Sequence, residues 1–266
     1  MVKAKIKLKT KQFSIPRPRD KFLWHVFSTK KIFKLDSFLS GELYLARLDT
    51  FKDPLEGSLP RRNRSLLDKA PEYAKKYIID AYAQAVRQSF ATCWHRNPNE
   101  PSNYMWEQFG DRHDGIAIRT DAKQMLSAAV PFLKLGAAHF GGIKYIDHRR
   151  ALIRTKNILR AQFVVRLKYK EEKEARLLLH TYGPFGSTLV AYQGPRGLLV
   201  RARRTKTTPP RREFVGGYKR GKAVVVGIEP KAFIKEIVVG KRVVDSIFQT
   251  VSQRAAALGI SCRRVR

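Results

Sequence analysis

The chain has 266 residues, 43% of them apolar and 11% aromatic, which is enough for a sizeable core and excludes a charged, disordered tail protein. Its 54 Lys and Arg against 22 Asp and Glu leave a formal charge of +32, and an anionic partner would relieve the resulting self-repulsion. No apolar run reaches membrane-spanning length and no signal-peptide core follows the first lysines; two cysteines, Cys93 and Cys262, are too few for a disulfide framework or a cysteine-based zinc site, so a reducing cytoplasmic location is expected.

In chain order, Lys3-Ala4-Lys5-Ile6-Lys7-Leu8-Lys9 alternates with period two, so as a strand it sets Lys3, Lys5, Lys7 and Lys9 on one face. Residues 1–20 are read as a basic arm, either a lysine-protected edge strand, a frayed tail or a phosphate-binding segment. Phe22 to Phe27 then reads as a buried strand, Ile32 to Leu39 as a short helix stopped at Gly41, and Glu42 to Leu48 as a second strand. Asp53 to Gly57 is a turn. Pro71 opens a helix with Tyr73, Tyr77, Ile78, Tyr82, Ala85 and Val86 at helical spacing, a stripe expected to pack in the core rather than to serve as a stacking platform.

Strands are expected over Phe90 to Trp94, Gly115 to Ile118, Gly142 to Ile146, Ala175 to Leu179, Ala223 to Ile228, Ile234 to Val239 and Ile260 to Val265. Helices are expected over Tyr104 to Phe109, Asp121 to Ala129 and Val243 to Leu258, the last ended by Gly259. The mixed order of elements, without internal repeats, predicts an α+β fold: one mixed, mostly antiparallel sheet with flanking helices, forming a single domain over residues 21–266.

The segment from Arg201 to Lys222 holds nine Lys or Arg and one acid, Glu213. It reads as a basic insert forming a flexible, solvated hairpin tip. Arg201, Arg203, Arg204, Lys206, Arg211, Arg212, Lys219, Arg220 and Lys222, with Arg263, Arg264 and Arg266 at the end of the chain and the four N-terminal lysines, are the candidate contacts to nucleic-acid phosphates, RNA or DNA. An anionic membrane surface is the weaker competitor.

Chemistry-bearing residues are sparser. The six histidines, His25, His95, His113, His139, His148 and His180, lack metal-ligand spacing, so no metal site is expected, and no GxxxxGK[ST] or GxGxxG phosphate loop occurs. Cys93 and His95 share a strand face, as a thiolate and imidazole pair, as two metal ligands, or as a buried cysteine beside a satisfied histidine. Asp49, Asp53 and Glu56 cluster in one turn, while Glu171, Glu172 and Glu174 precede Arg176. Glu174 and Arg176 alternate with apolar residues and are expected to face one side, opposite the core. Such carboxylates suit metal binding, a base or a charge stabiliser, or internal ion pairing. A hydrolytic reading places Asp53, Glu56 and Glu174 around a divalent metal.

Several spaced segments together carry a resemblance: Leu23-Trp24-His25, Gly41 to Tyr44 with Arg47-Leu48-Asp49, Phe51 to Gly57, Cys93-Trp94-His95, Met105-Trp106, Gly115 to Ile118, Lys144 to Asp147 and Glu171 to Arg176. From about Phe22 to the C-terminal strand the chain resembles the bacterial domain-of-unknown-function family numbered 2971. Lys52 stands where that family often has asparagine, and the 201–222 insert departs from its pattern. A looser likeness to ADP-ribosyltransferase-type folds implies an enzyme using NAD: His25 would hold the dinucleotide, Glu174 would stabilise the oxocarbenium-like transition state, and Trp94, Tyr104 or Trp106 would stack on nicotinamide. Together the readings set out His25, Asp53, Glu56, Glu174 and Arg176 as candidate catalytic residues. Two functions follow: a nucleic-acid-binding protein gripping phosphate backbones through its appendages, or an ADP-ribosyltransferase-like enzyme modifying a nucleic acid or a nucleic-acid-bound protein.

Overall fold

The structure, a computed structural model, describes residues 22–134, 138–154, 158–180, 189–194, 197–202, 212–215, 217–220 and 222–265. The apolar run Phe22–Ser28 forms β1, followed by α1 (Phe33–Leu39) and β2 (Glu42–Arg47). Gly41 adopts φ +83°, and a Cβ there would meet the Ile228 carbonyl oxygen at 2.8 Å, so only glycine ends the helix and turns the chain into β2 here. Next come α2 (Arg61–Leu67), α3 (Glu72–Arg87), β3 (Ser89–Arg96), α4 (Asn103–Phe109), β4 (Gly115–Asp121) and α5 (Ala122–Lys134). The chain continues as β5 (Ala138–Gly142), β6 (Lys144–Ile146), β7 (Val164–Arg166) and β8 (Glu174–His180). The remaining elements are β9 (Leu189–Gly194), β10 (Gly197–Ala202), β11 (Arg212–Val215), β12 (Gly217–Arg220), β13 (Ala223–Gly227), α6 (Pro230–Phe233), β14 (Glu236–Val239), α7 (Asp245–Ala257) and β15 (Cys262–Arg264).

The fold is α+β around a ten-stranded sheet in the order β12-β13-β2-β3-β1-β4-β14-β15, with β8 on β3 and β5 on β8. All its pairings are antiparallel except β14 with β15. One face is covered by α1, α5, α6 and α7, whose Leu35, Phe38, Met125, Phe233 and Val251 pack on Leu23, Phe27, Leu43, Trp94, Ile118 and Leu177. Burying such an aliphatic side chain is worth about 1.5–3 kcal/mol, so this layer dominates stability. The other face carries two smaller apolar clusters, one around Trp24, Met105 and Trp106 and one around Leu48, Phe163, Val165 and Leu178.

Four expectations change. The segment expected as one strand from Gly142 to Ile146 divides: β5 leaves β8 at Gly142, and β6 pairs in parallel with β7. Tyr73 and Tyr77 are 79% and 73% exposed and Ala85 is the only fully buried residue of α3, so the tyrosine stripe straddles the helix surface instead of packing in the core. All seven residues of β8 are buried, so the face bearing Glu174 and Arg176 is itself interior, because the turn residues 53–56 and the segment Ile158–Phe163 cover it. The basic insert contains strands: β10 ends in it at Ala202 and β11 and β12 lie within it, β9, β10 and β11 forming a separate antiparallel sheet and β12 extending the main one. No helix among the described residues is long and apolar enough to cross a membrane.

Candidate functional site

The main sheet opens at β3. Along one edge β3 pairs with β8 from Ser89 to His95. Along the other, β2 takes Phe90 and Ala91 while β1 takes His95 and Arg96. β1 and β2 thus splay apart beside Thr92, Cys93 and Trp94, and a cavity of about 720 Å³ fills the gap, within the usual range for small-molecule sites. Trp24, Trp94, Phe33, Phe38, Tyr44, Phe51 and Phe109 give it aromatic walls, and Lys31, Lys34, His25, Cys93, His95, Glu172 and Glu174 give it polar groups.

His25 occupies the gap. Its Nδ1 meets the Cys93 carbonyl oxygen at 3.2 Å; a carbonyl only accepts, so Nδ1 carries the proton and donates. The ring lies 5.2 Å from Trp94 and 5.7 Å from Phe38, centroid to centroid. Burial, then the Lys34 charge, lower its pKa to about 3, so it is a neutral imidazole whose Nε2 is an acceptor. Lys34 is itself pulled down by burial and by Lys31, and the two ammonium groups favour an anion at the cavity wall.

The opposite face of the same strands is charged. Trp24, His95 and Glu174 lie in one cross-strand row, so by strand alternation Glu174 points away from the side that His25 occupies. The fully buried Arg176 donates through Nε to Glu174 Oε1 at 2.8 Å and through Nη1 to Glu56 Oε1 at 2.7 Å and to the Gln162 carbonyl at 2.6 Å. Its guanidinium also lies 5.4 Å from the Phe51 ring centroid. Asp53 is one step outward, paired with Arg166 at 2.6 Å, and its Oδ1 accepts from the Leu55 N–H to shape the turn that delivers Glu56. Burial pushes the Glu56 carboxyl up, and Glu174 and Asp53 add to this against the pull of Arg176. Glu172 is raised to about 7, first by burial and then by Glu174.

His95 ties this cluster to the backbone. The Ser102 N–H donates to its Nε2 at 3.4 Å, so its Nδ1–H donates to the Glu172 carbonyl at 2.8 Å. Burial and the Glu174 charge push the Cys93 thiol well up, which fits a protonated strand cysteine and not a thiolate beside an imidazole. The Tyr145 hydroxyl accepts from the Glu174 N–H at 2.7 Å, fixing the start of β8. Among the described residues no group of three or more His, Cys, Asp or Glu is arranged to hold a metal ion; Glu56 and Glu174 converge on the Arg176 guanidinium, where the hydrolytic reading set a divalent metal.

Of the sequence candidates, His25, Trp94 and Glu174 line the cavity, and Glu56 and Arg176 stand behind Glu174. Trp106 is core, stacked on His113 at 5.7 Å, and Tyr104 packs on the same cluster instead of lining the cavity. Glu172, Lys34, Trp24 and Tyr44 line it without having been singled out for it; the acid run 171–174 was the one signal pointing to any of them. Lys3, Lys5, Lys7, Lys9, Arg203, Arg204, Lys206, Arg211 and Arg266 lie outside the described residues, while Arg201 falls on β10, Arg212 on β11, Lys219 and Arg220 on β12, and Lys222 just before β13. Arg263 is engaged internally by Glu236 and Glu100, each at 2.7 Å, and Arg264 by Asp245 and the Val243 carbonyl. No protein-family model, curated protein or solved structure matches this chain.

Proposed function

We propose that the chain is an enzyme acting at the N-glycosidic bond of a nucleotide, NAD being the substrate the cavity suits best. The observation that supports this most directly is that two carboxyl groups of contrasting environment, Glu172 raised to about 7 and Glu174 ion-paired with Arg176, line one aromatic cavity beside two lysines. Pairs whose environments diverge in this way divide acid–base and electrostatic roles. The resemblance to ADP-ribosyltransferase-type folds points to the same chemistry.

In this reading Lys31 and Lys34 hold the pyrophosphate, and the aromatic walls with the neutral His25 hold nicotinamide and its ribose. The bond from ribose C1′ to the nicotinamide nitrogen breaks with its electron pair passing to nicotinamide, which leaves uncharged. The carboxylate of Glu174 stabilises the oxocarbenium-like charge developing on the ribose, held in place by Arg176. An acceptor oxygen or nitrogen attacks C1′ while Glu172 takes its proton, a task for which a pKa near 7 is suited. The test is incubation with NAD and RNA, DNA or protein acceptors, read by mass spectrometry. Glu174→Gln is expected to abolish nicotinamide release while binding of NAD survives, and turnover is expected to rise with pH through about 7 unless Glu172 is replaced by Gln. Intact NAD with every acceptor would retire the reading.

A second reading concerns the partner and is favoured by the charge of +32: the basic arm and insert grip nucleic-acid phosphates without reading sequence, which makes a nucleic acid the acceptor or its carrier.

A further inference from the structure

A second cavity, of about 490 Å³, is lined by Glu56 and so adjoins the ionic centre that also holds Glu174 in the wall of the first. Its volume is within the usual range for small-molecule sites. Ile79, Tyr82, Ala83, Val86 and Arg87 line it, and their three- and four-residue spacing sets them on one side of α3. The turn that delivers Glu56 lies against this side: Gly57 adopts φ +65°, and a Cβ there would meet Val86 Cγ2 at 2.7 Å. Leu59 extends the apolar wall, while Asp49 and Arg64 add charge. These charges do not neutralise one another. Asp49 takes Arg47 on its two oxygens, each at 2.7 Å, Glu56 takes Arg176, and Arg64 donates through Nε to the Leu59 carbonyl at 3.1 Å. No ion pair among the described residues joins either acid to Arg64 or Arg87. Groups of both signs thus line one space with an apolar wall, separated by more than the length of an ion pair.

We propose that this cavity binds the zwitterion of an apolar α-amino acid, its carboxylate turned to Arg64 and Arg87, its ammonium group to Glu56, and its side chain laid on Leu59, Ile79 and Val86. The proposal stands apart from the glycosidic chemistry of the first cavity and does not need it. A purely anionic ligand would set a like charge against Glu56, and a purely cationic one would do the same at the arginines. An α-amino acid answers both signs at once and brings an apolar body for the wall. The planar guanidinium groups match a carboxylate with paired hydrogen bonds. Burial raises the Glu56 carboxyl, and an ammonium group beside it favours the ionised form. Because Glu56 and Glu174 share Arg176, the site is built onto the same ionic centre as the first cavity.

The experiment titrates leucine, isoleucine, methionine and phenylalanine into the full chain by isothermal calorimetry, and at least one is expected to bind. Its amide, which lacks the carboxylate, and its N-acetyl form, which lacks the ammonium group, are each expected to bind about tenfold more weakly, since each loses charge-assisted hydrogen bonds. These arms use the wild-type chain, so no variant has to fold for the proposal to be tested. Arg64 and Arg87 are exposed, and Arg64→Gln with Arg87→Gln is expected to weaken the parent amino acid about tenfold while leaving the affinity for its amide unchanged. Binding by none of the four amino acids would overturn the proposal. An N-acetyl form as tight as its parent would also overturn it, by making the cavity a site for anions alone. So would wild-type affinity for the amino acid in the Gln pair.

Discussion

The two faces of β3 and β8 place very different groups a few ångströms apart. On one, Trp94, Ala175, Leu177 and Leu179 join the principal core, and the titratable group there, His25, is kept neutral by its surroundings. On the other, Glu174, Arg176 and Glu56 form a buried ionic centre between two apolar clusters. Removing charge from water costs several kcal/mol per ion, and a well-packed apolar substitute is often as stable or more so. The ionic face is therefore a poor way to gain stability, and its place at the wall of a cavity that opens through the sheet fits a role in chemistry.

The contrast breaks most severely at Arg176. Arg176→Met leaves Glu56 and Glu174 buried without their common partner and is expected to destabilise the fold by about 3–5 kcal/mol in denaturant unfolding. Adding Glu56→Gln and Glu174→Gln removes the unpaired charges and is expected to recover much of that loss. A single Arg176→Met variant as stable as the wild type would mean that the centre is solvated and the two faces are alike.

The apolar face has its own signature in pH. The unfolded chain protonates His25 near pH 6.5, whereas the folded ring resists protonation down to about 3. Between those values the unfolded state binds more protons, so this group's contribution to stability is complete above pH 6.5 and is lost as pH falls. His139, lowered to about 3 by burial and by its neighbour His180, acts in the same sense. Glu172 acts in the opposite sense, since its raised pKa favours the folded state on the acid side of 7. Comparing variants cancels these terms. His25→Asn retains a donor for the Cys93 carbonyl and is expected to reduce the acid slope of stability by one proton, at most about 1.4 kcal/mol per pH unit. Parallel slopes for variant and wild type would show that His25 titrates freely.

Most of the core elements were legible because their signals are local. Alternation in β1, the glycines after α1 and α7, and the apolar runs of β13 and β14 each depend on a few neighbours in sequence, and Gly259 indeed takes φ +65° after α7. The same locality made Glu174 and Arg176 recognisable as a same-face pair. Which face was buried was not legible, because the cover comes from residues 53–56 and 158–163, far away along the chain. The splay of β1 and β2 from one edge of β3 is likewise a property of pairing, so Lys34, Tyr44 and Glu172 could not be assigned to a common cavity. For α3 periodicity identified the helix correctly, but it could not say which aromatic residues have a partner.

That last point gives the smallest expected effect and the sharpest contrast with Arg176. Tyr73 and Tyr77 lie on an exposed arc with no ring contact among the described residues, and alanine is the better helix former. Replacing both with alanine should leave stability within about 0.5 kcal/mol of the wild type, with any residual change tending upward. Surface tyrosines that cost the fold nothing when removed would be tyrosines that the packing of α3 does not use. A loss of more than about 1 kcal/mol in the free protein would instead make them part of the packing of α3 on its own domain, and the difference between the buried ionic centre and the open helix face would then be one of degree.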